Sequence, residues 1–491
     1  LSEVARFGRA AGRLNPKSGA LVVRLALLVV TLAFAPEASS AAARALPQGR
    51  LFLEATDGRV EIEIVPGAST TVSVVDSRTG ADLGERLETK PRDDGTSLRL
   101  VQGDATSTER PVVKLRVRKG QRLEMSGSRL DVSVAGKVGE PAEAAAAPRI
   151  EPTIVGRLGK STFRATGLAG PEVGLFLTAD ESAVQLDACE NVVDVRVTGG
   201  SLKVLDHRGL LRITGRDSDV HLEGGASEPT MNLTGGSVTL RDGEGSVALS
   251  ANGAKVWVDQ WTGALRIEAA HGNLDVARSA TKLLDLKLTD TFARIGQGSG
   301  RAGVKCAGGA IDVDGFGGPV TITATDRASV SATGVTGALQ ITGTDAARLD
   351  VKESRGAVTL TATGGDVSVE RASSLKLAAT DATVSVRGVA KLLPATLRGC
   401  TGELDLVETL GSPAVSVALG SRIDFRIAEP CEVQASGQGA KLGESISCSG
   451  CDLKLPNQPQ VGNPRQYYRG TRRAILALTL DEESRVKIEA K

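Results

Sequence analysis

Residues 175–435 repeat one short unit, and no other feature restricts the fold as strongly. From Gly337 the chain reads GALQITGTD, AARLDVKESR, GAVTLTATG, GDVSVERAS, SLKLAATD and ATVSVRGV. Each unit carries an apolar pair two residues apart: Leu339/Ile341, Leu349/Val351, Val358/Leu360, Val367/Val369 and Val384/Val386. In a strand such a pair points to one face while its neighbours point to the other. Gly, Asp, Asn or Ser then turns the chain before the next pair. The first member of the pair can be followed from Leu175 to Val433, 258 residues in 28 steps, or about 9.2 residues per step. One such unit cannot bury its own apolar face, so the units must stack.

A second beat lies on the first. One class of unit ends in small or polar residues (VTITATDR, LQITGTD), the other in charges or a bulkier corner (WVDQWTG, IDVDGFGG, LDVKESRG). The alternation makes the repeat two strands, about 18 to 19 residues. The expected fold is all-β: a parallel β-helix, or solenoid, of flattened two-strand coils whose inward pairs form continuous apolar ladders. About 14 coils at roughly 4.8 Å each would give a rod on the order of 70 Å, right-handed by the rule for parallel crossovers.

The remaining segments are read around that array. Residues 1–45 combine a basic stretch (Arg6, Arg9, Arg13, Lys17, Arg24), the uncharged apolar run 25–35 and a zone of small residues, the pattern of an export signal peptide. Eleven apolar residues fall short of the roughly 20 that span a bilayer, so no transmembrane segment is expected in the mature chain. Residues 46–136 hold irregularly spaced strands and are expected to form a small antiparallel sheet or sandwich that caps the first solenoid edge. Residues 137–160 read as a Pro/Ala/Glu-rich linker and 161–440 as the solenoid. Residues 441–491 read as an irregular segment ending in a cap hairpin of AILALTL and RVKIEA.

Composition excludes several function classes. Lys+Arg 59 against Asp+Glu 58 leaves a net charge of +1, and aromatics are 2%, so neither a basic patch nor a base-stacking surface marks a nucleic-acid binder. The three histidines, His207, His221 and His271, accompany no nucleophile motif, P-loop, HExxH or dinucleotide fingerprint. No catalytic residue, metal ligand or cofactor is assigned. Of the six cysteines, Cys400, Cys431, Cys448 and Cys451 crowd the last hundred residues and are disulfide candidates in an exported protein. Cys431 lies 17 residues before Cys448 and 20 before Cys451, close to one coil, so that neighbours on adjacent coils could meet disulfide geometry.

The outward position on the charged class of strand reads Trp257, Asp275, Arg294, Asp312, Asp350 and Ser368. Asp275, Asp312 and Asp350 should fall two coils apart, near 9 to 10 Å, too far to share one calcium ion, with Arg294 compensating charge between the first two. Asp312 and Asp314 share a face. Trp257, Asp312 and Asp314 mark the candidate binding face. Threonines recur at Thr321/Thr323/Thr325 and Thr359/Thr361/Thr363, but Arg266, Glu268 and Lys305 break any continuous array.

The stretch VVKLRVRKGQRLEMSGSRLDVSVAG, followed by the ladder, resembles the adhesin-like β-solenoid family of exported bacterial proteins, over roughly residues 50–440. The resemblance carries no catalytic motif. It implies a non-enzymatic adhesin-like or scaffold module, monomeric, acting through its long faces on a surface glycan or envelope protein in the periplasm, at the outer-membrane surface or outside the cell. A β-helix carbohydrate-active enzyme, a polysaccharide lyase or hydrolase, is the alternative, and would need a groove of clustered carboxylates and cations.

Overall fold

A computed structural model describes residues 43–65, 69–101, 111–118, 121–136, 154–169, 174–345, 348–406, 413–428, 431–437, 445–455 and 474–490. The expected signal segment, apart from residues 43–45, and residues 137–153 of the expected linker lie outside them. Thirty strands from Ile154–Gly159 to Arg422–Ile427, two per coil, build 15 coils of a parallel β-solenoid. The first strand of each coil pairs with the first of the next (Leu175↔Val193↔Leu211), the second with the second (Val184↔Leu202↔Val220). A coil takes 17 residues at Val358↔Leu375, 18 at Leu175↔Val193, 19 at Leu265↔Leu284 and 20 at Ala395↔Val415. The expected pairs face inward: Leu339, Ile341, Val358, Leu360, Val384 and Val386 are all buried.

Corners need left-handed residues, which explains the turn chemistry. Asp217, Asp290 and Asp381 sit at φ of 49°, 44° and 52°, and Gly235, Gly308 and Gly399 at 69°, 70° and 62° one coil on. The pairs are complementary in volume. A Cβ on Gly235 would meet Asp217 Oδ1 at 2.2 Å, so the aspartate of one coil occupies the space left by the glycine of the next.

The N-terminal end departs in part from the expected small antiparallel sheet or sandwich capping the first solenoid edge. Its strands are β1 (Arg44–Ala45), β2 (Arg50–Val65), β3 (Thr71–Asp76), β4 (Leu87–Arg92), β5 (Gly95–Leu100), β6 (Pro111–Arg118) and β7 (Leu123–Gly136). β2 and β7 each form a whole coil, turning at the positive φ of Asp57 and Arg129, whose side chains ion-pair across the corner. β7 pairs in parallel with the strands that begin the 15-coil run (Leu123↔Ile154, Val132↔Phe163) and, on its other edge, with β2 (Leu51↔Leu123). β5 and β6 then add to the far edge of β2 (Leu53↔Leu98, Val60↔Val113). Thus β2 is held between strands that follow it in sequence. Only β1, β3 and β4 are antiparallel, β3 on β6, β4 on β5 and β1 on β3, and they close the end. Lys90, Pro91 and Arg92 blunt the outer strand against further pairing. The spacing looked irregular because the cap strands interrupt coils that keep the inward period. Two boundaries move accordingly: β1 falls within the segment drawn as signal peptide, and the ladder already includes Ile154.

The C-terminal end repeats the device. The expected hairpin of the last two strands is absent. Ala474–Leu480 and Arg485–Ala490 form one parallel coil inserted between two others. On one side it pairs with Ala414–Ala418 and Arg422–Ile427 (Val415↔Leu478, Ile423↔Val486). On the other it pairs with Cys431–Gly437 and Ile446–Ser449 (Val433↔Leu476, Ile446↔Val486). Residues 481–484 are a solenoid corner rather than a hairpin turn, because both strands keep the inward phase of the ladder. Three levels at the first end and two at the last bring the rod to about 90 Å at about 4.8 Å per level. Among the described residues no helix is long and apolar enough to cross a membrane.

The corner after the second strand holds a large group inside at some levels and glycine or serine at others. Trp261 is fully buried, and its Nε1 donates to the Gly245 carbonyl at 3.0 Å. A Cβ on Gly243, one coil earlier, would meet the Trp261 ring at 2.2 Å, so the ring fits only over glycine. His207 occupies the same corner and is also fully buried, with neither ring nitrogen hydrogen-bonded. Burial pushes its pKa down, against the carbonyls of Leu210, Cys189 and Gly209, which pull it up. The folded state therefore keeps this ring neutral at a pH where the unfolded chain, with a pKa of about 6.5, has bound a proton. Stability is full above about pH 6.5 and is expected to fall as pH drops from there through the lowered folded-state value, by at most about 1.4 kcal/mol per pH unit. Urea unfolding at pH 7.5 and 5.0 checks this: His207→Leu should flatten the difference, and an unchanged slope would assign it to other groups.

Candidate binding face

The second strands of successive coils place one outward residue at their centre, and parallel register stacks these residues into a row. Trp257, Asp275, Arg294, Asp312, Ser331, Asp350 and Ser368 follow one another in that row, as the sequence order requires. Two residues upstream on the same face runs a parallel row containing Lys255, Asn273 and Phe292. At about 4.8 Å per level, Trp257 and Phe292 stand two levels apart, and the stretch from Lys255 to Asp314 covers about 14 Å. Trp257 is 39% exposed and Phe292 51%, the two aromatic rings among the few large apolar side chains exposed on the described residues.

Among the described residues, charge pairing is absent between the outward polar side chains of this stretch. At several places elsewhere, cations and carboxylates neutralise each other across or along strands. Arg266 meets Asp285 at 3.4 Å and Lys287 meets Glu268. Arg387 and Arg426 both hold Glu403, and Arg348 and Lys352 close over the nearly buried Asp350 at 3.3 and 3.2 Å. Asp259, two residues after Trp257, is buried under the Arg278 guanidinium. By contrast, Lys255, Asn273, Asp275, Arg294, Asp312 and Asp314 make no ion pair and no side-chain hydrogen bond among the described residues. Arg294 stands in register between Asp275 and Asp312, yet the expected charge-compensating ladder is not closed by contact. Two exposed rings thus lie among hydrogen-bonding groups that the protein leaves unused. An aromatic face with nearby donors and acceptors can take a flat, partly apolar, partly hydroxylated ligand.

Phe292 had not been singled out in the sequence. It is 35 residues from Trp257, and only the stacking of coils brings them onto one face. Asp312 and Asp314 lie on that face two residues apart, while Asp350 is removed from it by its two cations.

The other sequence candidates disperse. His221 lies 3.1 Å from Glu223, and that hydrogen bond holds the carboxyl below its usual range. His271, at a corner, lies 3.7 Å from Asp290. Thr323, Thr342 and Thr361 do stack on the first-strand face, between Lys305 and Ala378. Two clefts, of about 460 and 360 Å³, flank the N-terminal cap. Their lining is largely self-paired: Arg116 with Glu63 at 2.8 Å in the first, Arg122 with Glu124 at 2.8 Å in the second, where Arg92 also stacks on Phe52 at 4.1 Å. Among the described residues no group of three or more His, Cys, Asp or Glu is placed to hold a metal ion.

The cysteines resolve into one bond and four thiols. Cys448 is bonded to Cys451, while Cys431, Cys400, Cys306 and Cys189 are buried and unbridged. The cross-coil disulfide considered for Cys431 and the pairing of Cys400 are therefore not formed. Cys400 instead donates to the Arg398 carbonyl at 3.3 Å inside its corner, and the next coil offers Ser421 rather than a cysteine. Compared with family models, curated proteins and solved structures, the chain matches none.

Proposed function

We propose that the protein is an exported, non-enzymatic, adhesin-like solenoid that binds a surface glycan through the face around Trp257, Asn273, Phe292, Arg294 and Asp312. The observation that carries this reading is the coincidence, on one stretch of the surface, of two exposed aromatic rings with six polar side chains that make no ion pair or side-chain hydrogen bond among the described residues. A parallel ladder offers such a platform without rearrangement, since its backbone is fixed on both sides by neighbouring coils. Aromatic rings supply stacking area at low entropic cost, and the unpaired groups supply direction. The export reading rests on the pattern of residues 1–45.

A glycan array probed with the full chain tests it. Binding without shortened products is expected, and Trp257→Ala should weaken the captured glycan at least about tenfold, the loss of roughly 1.4 kcal/mol of contact. Arg294→Ala should weaken it less, about three- to tenfold. Release of shortened glycans would instead favour the carbohydrate-active alternative. Binding untouched by either substitution would remove this face from the reading.

A further inference from the structure

The outermost C-terminal levels carry three of the six cysteines. The Cys448–Cys451 bond joins residues three apart, with Cα atoms 6.0 Å apart. Strand Asp452–Lys454 lies in parallel register on Cys431–Gly437 with Glu432↔Asp452, Val433↔Leu453 and Gln434↔Lys454. Cys431 and Cys451 each precede the first of these pairs by one residue, Cys451 just outside its strand, so extending the register sets them beside each other. The separation of such neighbours, about 4.8 Å, lies within the roughly 4.4–6.8 Å that a disulfide bridges. Alternation puts both sulfurs on the inner side. Cys431 and Val433 are buried, and Cys451, Leu453 and Leu455 pack on the same core. On the outer side, Glu432 and Lys454 ion-pair at 2.7 Å across the same two strands and hold the register. Cys448 is placed differently, opposite Ile488 on another strand.

We propose that these three residues form a thiol–disulfide exchange site in which Cys431 competes with Cys448 for Cys451. The Cys431 thiol gives up its proton, and the thiolate attacks Cys451 Sγ. The Cys448–Cys451 bond breaks as Cys431–Cys451 forms, and Cys448 leaves as thiolate and takes up the proton. No oxidant or reductant is consumed. The exchange replaces a local loop with a bridge between residues 20 apart, tying the last strand of the end level to its neighbour. Burial pushes the Cys431 thiol up to about 11, so the resting bond is kept at neutral pH and exchange quickens as pH rises.

Disulfide mapping of non-reduced digests, after quenching with N-ethylmaleimide, tests the proposal. In the unmodified chain, moving from pH 7 to pH 9 should raise the initial rate of appearance of the Cys431–Cys451 peptide about a hundredfold, following the thiolate fraction. In Cys448→Ser with oxidised glutathione, Cys431 and Cys451 should be linked, leaving Cys189, Cys306 and Cys400 to be alkylated after unfolding. Cys451→Ser should leave Cys431 and Cys448 both free. The proposal is overturned if no Cys431–Cys451 peptide appears at pH 9, a result that needs no variant to fold. It also falls if Cys448→Ser keeps both thiols, or if Cys451→Ser links Cys431 to Cys448.

Discussion

Trp261→Ala is expected to lower the unfolding free energy by about 3–5 kcal/mol, the range for emptying a buried aromatic site. Its ring fills the corner above Gly243 and donates to Gly245, so alanine would leave both a void and an unpaired carbonyl. The surrounding strands are fixed by ladders on either side and have little freedom to collapse into the void. Trp257→Ala, four residues earlier, should stay within about 0.5 kcal/mol because that ring stands on the outer face. Urea unfolding monitored by far-ultraviolet circular dichroism would separate them. Equal losses for the two would mean that the assignment of one ring to the core and the other to the surface is mistaken. The same pair, carried into the glycan assay, divides stability from binding: one substitution should cost stability, the other recognition.

Ending the chain after residue 455 should open the C-terminal end of the rod. The removed coil 474–490 is hydrogen-bonded on both sides, to 414–427 and to 431–449. It buries Leu476, Leu478, Leu480, Val486 and Ile488. At about 1.5–3 kcal/mol for each buried side chain, the loss is comparable with the whole stability of an ordinary domain. In a solenoid the damage is expected to stay near the end, because each coil contacts only its neighbours. Residues 431–455 should lose their order, and the strands at 414–427 should present a bare edge on which chains associate. Light scattering after size exclusion should show oligomers, and hydrogen exchange should show protection lost at 414–427 but kept near 339–370. A monomer with unchanged protection at 414–427 would show that the inserted coil is dispensable. The cap strands at the other end make the contrast, since β3 and β4 lie antiparallel across the outermost coil and need no inserted partner there.

Much of this protein was written in its sequence. Leu175, Val193 and Leu211 recur at coil length because every inward position needs an apolar residue, and that requirement is local to the strand. The two-strand coil, the Asp and Gly corners, the row of Trp257, Asp275, Arg294 and Asp312, and the buried Cys306 all follow from period and phase alone. A period states which residues share a face. It does not state which coil lies beside which. The placement of β2 between β7 and β5/β6, and of 474–490 between two earlier coils, therefore emerged only in three dimensions, because parallel ladders accept any coil with the right inward phase. The cysteines follow the same division: spacing brought Cys431 within one coil of Cys448 and Cys451, and register alone set it beside Cys451. The tertiary structure also decided that Phe292 joins Trp257, that Arg294 stays unpaired and that Asp350 is closed off by Arg348 and Lys352. The first two depend on neighbours one or two levels away, which stand 18 to 37 residues apart in the chain, and the third on side-chain conformation within one strand, so that none is set by period and phase.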